Sequence, residues 1–115
     1  MILLNATFCV DEPLESELVD FLKQKYIGTA YAAGLYRGLL TKIRAPHELN
    51  SISGNYTVSY ALQLRAPSDA VADNFSTRIL PELLAALPAA LQQAVNIYCT
   101  ELDIIHDPDS DGERY

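Results

Sequence analysis

Two segments of the chain alternate apolar residues with small polar ones, and this two-residue period is typical of a β-strand. In residues 2–10 the two sides carry Ile2, Leu4, Ala6, Phe8 and Val10 against Leu3, Asn5, Thr7 and Cys9. In residues 55–65 they carry Tyr56, Val58, Tyr60, Leu62 and Leu64 against Asn55, Thr57, Ser59, Ala61 and Gln63. Each strand is therefore predicted to have one face for a core and one uncharged second face. Because a water-facing strand usually carries charged side chains, we expect the second face to meet another protein surface or a small ligand.

Two helices are predicted from spacing and end signals. The first begins after the first strand, where Asp11 and Glu12 are acidic and Pro13 suits a first helical turn. It is expected to end near Tyr26, because Gly28 follows at a typical C-terminal position. The second helix is predicted to begin with Ser68 as its N-cap and to kink or break at its two prolines, Pro81 and Pro88.

Two more strands complete the order of elements. Residues 35–45 and residues 95–105 are predicted strands, and residues 46–54 read as a long hairpin loop. The order β-α-β-β-α-β predicts an α+β ferredoxin-like fold over residues 1–105, with an acidic tail over residues 106–115. Right-handed crossovers place both helices on one face of a four-stranded antiparallel sheet of order 4-1-3-2.

The other face of that sheet is left without a cover. We expect a homodimer in which two such faces pack together, as in a dimeric α/β barrel. The predicted interface consists of Leu3, Asn5, Thr7, Cys9, Thr57, Ser59, Ala61 and Gln63.

Composition limits the classes of partner that this chain is expected to bind. The 115 residues contain 50% hydrophobic residues and carry a net charge of −7, from 8 basic and 15 acidic side chains. This charge argues against nucleic acid and against an anionic membrane as partners, and no apolar run approaches the roughly 20 residues that span a bilayer. The first strand lacks the features of a signal peptide, so a cytoplasmic location is predicted. Cys9 and Cys99 are expected to be reduced and packed.

Short motifs resemble those of a small bacterial family of unknown function, DUF4286. They are Leu4 to Thr7 with Val10 and Asp11, Ala33 to Tyr36, and Tyr56 to Tyr60. The family is similar in turn to the dimeric α/β-barrel superfamily, which implies the same fold and a dimer with paired sheets. Some members of that superfamily are monooxygenases, haem-degrading enzymes or lactone isomerases with sites on the inner sheet face. The resemblance brings no catalytic residue to this chain, where Asn5 alone corresponds in type to theirs.

Candidate ligand-binding residues follow from the uncharged face and from the second strand: Asn5, Thr7, Ser59, Tyr36 and Arg37. Four basic residues, Arg37, Lys42, Arg44 and Arg65, lie on adjacent strands, where they form either an anion site or a charged edge. The tail is a candidate to dock on such basic residues. Five tyrosines form a further candidate pocket lining: Tyr31, Tyr36, Tyr56, Tyr60 and Tyr98. His47 and His106 are interpreted as surface residues, and the sequence predicts no metal site and no cofactor.

Three functions remain open on this basis. The leading hypothesis is a non-enzymatic homodimeric module that binds a small ligand between its sheets. The second is a cofactor-independent monooxygenase or isomerase-type enzyme that uses Asn5 in the interfacial cavity. The third is an adaptor or regulatory module that acts through its acidic tail.

Overall fold

The computed structural model describes residues 1–44 and 54–111. In this part of the chain one sheet contains four strands: β1 (Ile2–Asp11), β2 (Tyr36–Lys42), β3 (Thr57–Ala66) and β4 (Asn96–Asp103). Neighbouring strands are antiparallel, in the order β2-β3-β1-β4. This is the predicted order 4-1-3-2 read from the opposite edge, so the ferredoxin-like α+β fold is confirmed.

Helical segments connect the strands on one side of the sheet. A 3₁₀ turn (Glu12–Leu14) leads into α1 (Glu15–Phe21), a π-helical turn (Leu22–Tyr26) and α2 (Ile27–Ala32). After β3 come α3 (Asp69–Asn74), a second π-helical turn (Phe75–Ile79), α4 (Leu80–Ala85) and α5 (Ala89–Ala94). A short α6 (Pro108–Asp111) follows β4. Within the described ranges, no helix has both the length and the apolar character needed to cross a membrane.

The core lies between the sheet and these helices. As predicted, the even-numbered residues of β1 and β3 are buried, from Ile2 to Val10 and from Val58 to Leu64. Tyr26 lies at the centre of the helix layer, with its ring centre 5.8 Å from that of Phe8 and 6.0 Å from that of Phe75. Tyr56, predicted to be buried, is instead 53% exposed, because it precedes the regular part of β3 at the end of the sheet.

The first helix extends beyond its predicted end near Tyr26. It continues through Gly28 to Ala32, and the chain turns at Gly34, whose φ is +98°. The N–H of Gly34 donates to the carbonyl of Tyr31, and the N–H of Leu35 donates to that of Ala30, both at 3.1 Å. Gly34 is therefore the C-terminal glycine of this helix, and full burial of Ala30 outweighs the small cost of a helical Gly28.

The second helix begins as predicted, because the Ser68 hydroxyl accepts a hydrogen bond from the N–H of Val71 at 3.3 Å. The chain breaks at Pro88, between α4 and α5, also as predicted. Pro81 does not break it, since it lies in the first turn of α4 directly after the π-helical turn. There the N–H of Leu80 donates to the carbonyl of Phe75, so the altered hydrogen bonding of the π turn accommodates the missing donor of proline.

A bulge interrupts the start of β2. Tyr36 pairs with Arg65 and Leu39 with Gln63, so the register shifts between them. Arg37 takes a left-handed φ of +54°, and the N–H of Gly38 donates to the Tyr31 hydroxyl at 2.9 Å. The bulge therefore removes Arg37 from the regular alternation of the strand.

Some boundaries differ from the predicted ones. β2 is shorter than residues 35–45 and β4 is shorter than residues 95–105, although the N–H of Ile43 still donates to the carbonyl of Ser59 at 2.8 Å. The predicted hairpin loop lies mostly outside the described residues, as does His47.

Candidate functional site

The face of the sheet opposite the helices, called the open face here, is formed by alternate residues of all four strands. Paired residues of antiparallel strands point to the same side, so the register extends the odd-numbered residues of β1 and β3 onto both edge strands. The described strand residues of this face are Leu3, Asn5, Thr7, Cys9, Leu39, Thr41, Thr57, Ser59, Ala61, Gln63, Asn96, Tyr98, Thr100 and Leu102. All eight predicted interface residues are on it. None of these fourteen side chains is charged; Asp11 and Arg65 lie at the two ends.

Side-chain size varies across the open face. The edge strands carry large exposed apolar side chains, with Leu39 56%, Leu102 47% and Tyr98 66% exposed. The two central strands carry mainly small polar ones. The amide of Asn5 donates to the Thr7 hydroxyl at 3.4 Å, and Ser59 pairs with Cys9 on the neighbouring strand. The open face therefore has a centre with mainly small polar side chains between margins that carry larger apolar ones.

Two arginines converge on one carboxylate at the end of this face. Arg65 binds Oδ2 of Asp107, and Nη1 of Arg37 lies 3.6 Å from the same oxygen. The other oxygen, Oδ1, accepts a hydrogen bond from the N–H of Asp109 at 3.1 Å. The start of the tail thus docks on basic residues, as the sequence suggests. Among the candidate ligand-binding residues, this geometry separates Arg37 from the central trio of Asn5, Thr7 and Ser59.

Tyr36, the remaining candidate, also lies at this end of the sheet. Its hydroxyl donates to the sulfur of Met1 at 3.1 Å, and it pairs with Arg65 across the strands. The predicted four-residue basic group is not one cluster. Lys42 instead points to the helix side, where its ammonium binds Glu15 at 2.6 Å, and Arg44 is exposed beyond the end of β2.

A second concave region lies on the opposite side of the sheet. This helix-side cleft, of about 440 Å³, opens between β4 and the π-helical turn of residues 75–79. Its deep wall consists of buried apolar side chains from the sheet and the helices, among them Leu4, Ala6, Leu64, Tyr26 and Phe75. Its rim carries polar side chains, among them Asp73, Ser76, Thr77, Cys99 and Glu101.

Burial raises the pKa of two groups in the helix-side cleft, Tyr26 and Cys99. It raises the pKa of the Tyr26 phenol, and the nearby Cys99 thiol raises it further, so Tyr26 stays protonated. Partial enclosure likewise raises the pKa of the Cys99 thiol above its ordinary value. At the rim, the Ser76 hydroxyl donates to Oε1 of Glu101 at 2.8 Å and fixes that carboxylate at the mouth. The cleft therefore offers hydrogen-bond donors in Tyr26 and Cys99 and an acidic hydrogen-bond acceptor in Glu101.

No pattern in the sequence predicts this cleft. Tyr26 shares the helical spacing of the core residues, and Cys99 and Glu101 sit on the core side of a strand that is only partly covered. The five tyrosines predicted to line a pocket do not meet; Tyr60 binds Glu15, and Tyr31 binds the backbone of Gly38. Both cysteines are free, as expected, but Cys99 borders the cleft and is not packed in the core.

The resemblance to a known family is confirmed by comparison. The profile of the domain of unknown function DUF4286 matches residues 1–105. The chain belongs to this family. No curated protein matches it by sequence.

Solved structures share the fold of this DUF4286 chain at low sequence identity. HapK from Hahella chejuensis has a TM-score of 0.62 at 10% identity, covering 93% of this chain and 95% of its own. A Bacillus cereus protein described as an antibiotic biosynthesis monooxygenase has a TM-score of 0.60 at 15% identity, with coverages of 92% and 94%. A dimeric ferredoxin-like protein from Jannaschia sp. has a TM-score of 0.50 at 14% identity, with coverages of 90% and 100%. These likenesses establish the fold.

Proposed function

We propose that this protein is a homodimeric module in which two copies pack their open faces together and enclose a chamber for a small molecule. The observation that carries the proposal is the uncharged open face with its exposed Leu39, Tyr98 and Leu102. Solvent contact with this surface is unfavourable, whereas a second copy offers a surface of the same character. A face without charges also has no like-charge repulsion when it meets its own copy.

The size of the open face suits a small but specific interface. Four strands at about 4.8 Å spacing and eight residues at about 3.3 Å give a projected area of roughly 500 Å² per copy. Two copies bury about 1,000 Å² by this measure, near the lower limit for specific interfaces. The Jannaschia protein of the same fold is described as dimeric, which supports the same arrangement here.

The variation in side-chain size across the open face supports the ligand part of the proposal. When the apolar margins of two copies meet, the smaller side chains of the central strands leave space between the sheets. Asn5, Thr7 and Ser59 then supply hydrogen-bonding groups at the middle of that chamber. Such a combination of apolar walls and a few polar groups is typical of small-molecule sites. Tyr36 and Arg37 would lie at the end of that chamber.

The dimer is tested by adding charge to the open face. We expect the wild-type chain to sediment as a dimer, and Ser59→Arg or Thr7→Lys to yield monomer or aggregate. Ser16→Arg is the matched control, because Ser16 is exposed on α1, on the helix side. Sedimentation velocity over a hundredfold concentration range measures the outcome. A wild type that stays monomeric, or a Ser59→Arg variant that remains a soluble dimer, would refute the proposed interface.

The ligand is tested separately on the intact dimer. We expect native mass spectrometry of freshly purified protein to show a retained small molecule that is lost after unfolding and refolding. Asn5→Ala, which shortens a polar side chain at the chamber centre, should weaken its retention. A dimer that carries no added mass before unfolding would refute the chamber and leave the dimer intact.

A monooxygenase-like role is the second candidate, supported by the description of the Bacillus cereus protein and by Asn5 at the centre of the open face. It predicts that Asn5→Ala abolishes oxygen consumption with an oxidisable substrate while dimerisation and ligand binding persist.

The adaptor hypothesis requires the acidic tail to bind a partner. Asp107 already binds Arg37 and Arg65 of its own chain, so an external basic partner would have to displace this contact.

A further inference from the structure

The Tyr26 hydroxyl is the feature of the helix-side cleft that most needs an explanation. Tyr26 is only 2% exposed, yet no protein group in residues 1–44 and 54–111 hydrogen-bonds its hydroxyl. No side-chain polar atom in these described ranges is both sealed from solvent and unpaired. The hydroxyl must therefore open onto the cleft that Tyr26 lines. A buried phenol without a protein partner calls for a partner that enters from the cleft.

The walls around this hydroxyl are apolar. Phe75, Leu64 and Leu4 are each at most 9% exposed and line the deep part of the helix-side cleft. Its volume of about 440 Å³ lies within the range of small-molecule sites, roughly 300–1,000 Å³. An occupant therefore needs an apolar body, with one hydrogen-bonding atom at the end that reaches Tyr26.

The charge at the mouth selects among such molecules. Asp73 and Glu101 are the charged side chains among the described residues of the lining, and both are acidic. Ser76 holds Glu101 in place through its hydroxyl. An anionic head group would be repelled at this mouth, whereas a protonated amine would be attracted.

We propose that the helix-side cleft binds a small molecule with an apolar body, a hydrogen-bonding atom at its inner end and a protonated amine at its outer end. The inner atom pairs with the Tyr26 hydroxyl, the body packs against Phe75, and the amine pairs with Glu101. The site lies within one copy of the chain, on the side of the sheet opposite the open face. It therefore goes beyond the proposed dimer and does not depend on it.

Four ring compounds of nearly equal size separate these contributions. Tyramine carries a phenol and an amine, phenethylamine lacks the phenol, tyrosol replaces the amine with a neutral hydroxyl, and 4-hydroxyphenylacetate replaces it with an anion. We expect tyramine to bind about three- to fivefold more tightly than tyrosol, the range of an exposed ion pair. Phenethylamine and 4-hydroxyphenylacetate should both bind more weakly than tyramine. Titrations followed by amide chemical shifts measure affinity and location together.

Two variants assign the contacts. Glu101→Gln should remove most of the difference in affinity between tyramine and tyrosol. Tyr26→Phe should remove most of the difference in affinity between tyramine and phenethylamine. Glu17→Gln is the control, because it removes the same charge from an exposed position on α1. Glu101 is itself exposed, so its variant reports on binding even if Tyr26→Phe perturbs the fold.

The results that would overturn the proposal are equally specific. Equal affinity for the amine, the alcohol and the acid would remove the role of the acidic rim. Chemical-shift changes that avoid Phe75, Ser76 and Cys99 would place binding elsewhere. No change at millimolar tyramine would mean that the cleft does not take this class of molecule. These titrations do not depend on the oligomeric state, so failure of this proposal is distinguishable from failure of the proposed dimer.

Discussion

The Tyr60 hydroxyl donates a hydrogen bond to the carboxylate of Glu15, which ties the central strand β3 to the first turn of α1. Lys42 binds the same oxygen at 2.6 Å, and its ammonium lies 5.8 Å from the centre of the Tyr60 ring. Burial first, and then the hydrogen bond and charge of Glu15, raise the pKa of Tyr60 to about 12. The fold therefore stabilises the protonated form of Tyr60.

This contact predicts a pH-dependent effect of Tyr60→Phe. Near neutral pH the variant should lose about 1 kcal/mol of unfolding free energy. This is below the range of about 1.5–3 kcal/mol for hydrogen bonds to charged groups, because Glu15 is 26% exposed. An unfolded tyrosine ionises near pH 10, whereas folded Tyr60 ionises near pH 12. The contribution of Tyr60 is therefore complete below about pH 10 and disappears as the pH rises towards 12.

Urea unfolding of the wild type and of Tyr60→Phe between about pH 8 and pH 11 measures this effect. The stability difference between the two proteins should narrow towards the alkaline end. Tyr56→Phe is the control, since Tyr56 is 53% exposed, and should match the wild type throughout. A difference that stays constant over the whole pH range would contradict the assignment.

Replacement of two glycines by alanine is predicted to change the unfolding free energy in opposite directions. Gly28 lies inside the first helix, and a Cβ there meets nothing within 4 Å. Gly28→Ala should raise the unfolding free energy by about 0.5–1 kcal/mol, because alanine loses less backbone entropy in a helix. At Gly38 a Cβ would lie 3.1 Å from the Tyr31 hydroxyl oxygen and 3.2 Å from a methyl group of Leu64.

Gly38→Ala should therefore destabilise the protein by about 1–3 kcal/mol, the usual cost of overpacking. Displacement of Tyr31 would also weaken its hydrogen bond to the Gly38 N–H and loosen the bulge. Thermal and urea unfolding of the two variants side by side provide the comparison. Equal effects of the same sign would show that helix propensity and close packing do not decide these positions.

The strand pattern predicts the architecture well because its period has only one structural interpretation. Alternation in residues 2–10 and 55–65 identifies two strands, the face that packs on the core and the face without helices. The buried Phe8 and Leu62 and the open Asn5 and Ser59 all follow from it. The strand order has a separate basis, because it follows from the β-α-β-β-α-β order of elements and from right-handed crossovers.

The remaining features depend on tertiary contacts that no local pattern records. Gly28 and Gly34 are both plausible helix ends, and the burial of Ala30 decides between them. The helix-side cleft exists because the second helix leaves β4 partly uncovered, so its rim residues alternate in sequence like ordinary strand residues. The contact between Arg65 and Asp107 joins residues 42 positions apart in sequence. The sequence suggests that the tail docks on basic residues, but spacing does not identify Arg65 as the partner of Asp107, nor does it predict the cleft.

The docked tail yields a local prediction. Arg65→Gln removes the closer of the two arginines on Asp107, so the backbone around residues 104–109 should exchange amide hydrogens faster. Global stability should change less than this local exchange, because Asp107 keeps Arg37 as a partner. Hydrogen exchange with mass spectrometry measures both effects, and Arg44→Gln, on an exposed arginine, is the control. Unchanged exchange in the tail would show that another contact holds it.

The two cysteines lie on opposite faces of the sheet, so their labelling separates the open face from the helix-side cleft. Cys9 is on the open face, and in the proposed dimer its labelling in a Cys99→Ser background should slow as protein concentration rises. Cys99 in a Cys9→Ser background should react at a rate independent of concentration. It should also react more slowly than an ordinary thiol near neutral pH, because enclosure raises its pKa and reduces the thiolate fraction. Iodoacetamide labelling followed by mass spectrometry measures both rates. A Cys9 rate that does not vary with concentration, in protein that sediments as a dimer, would place the interface on another surface.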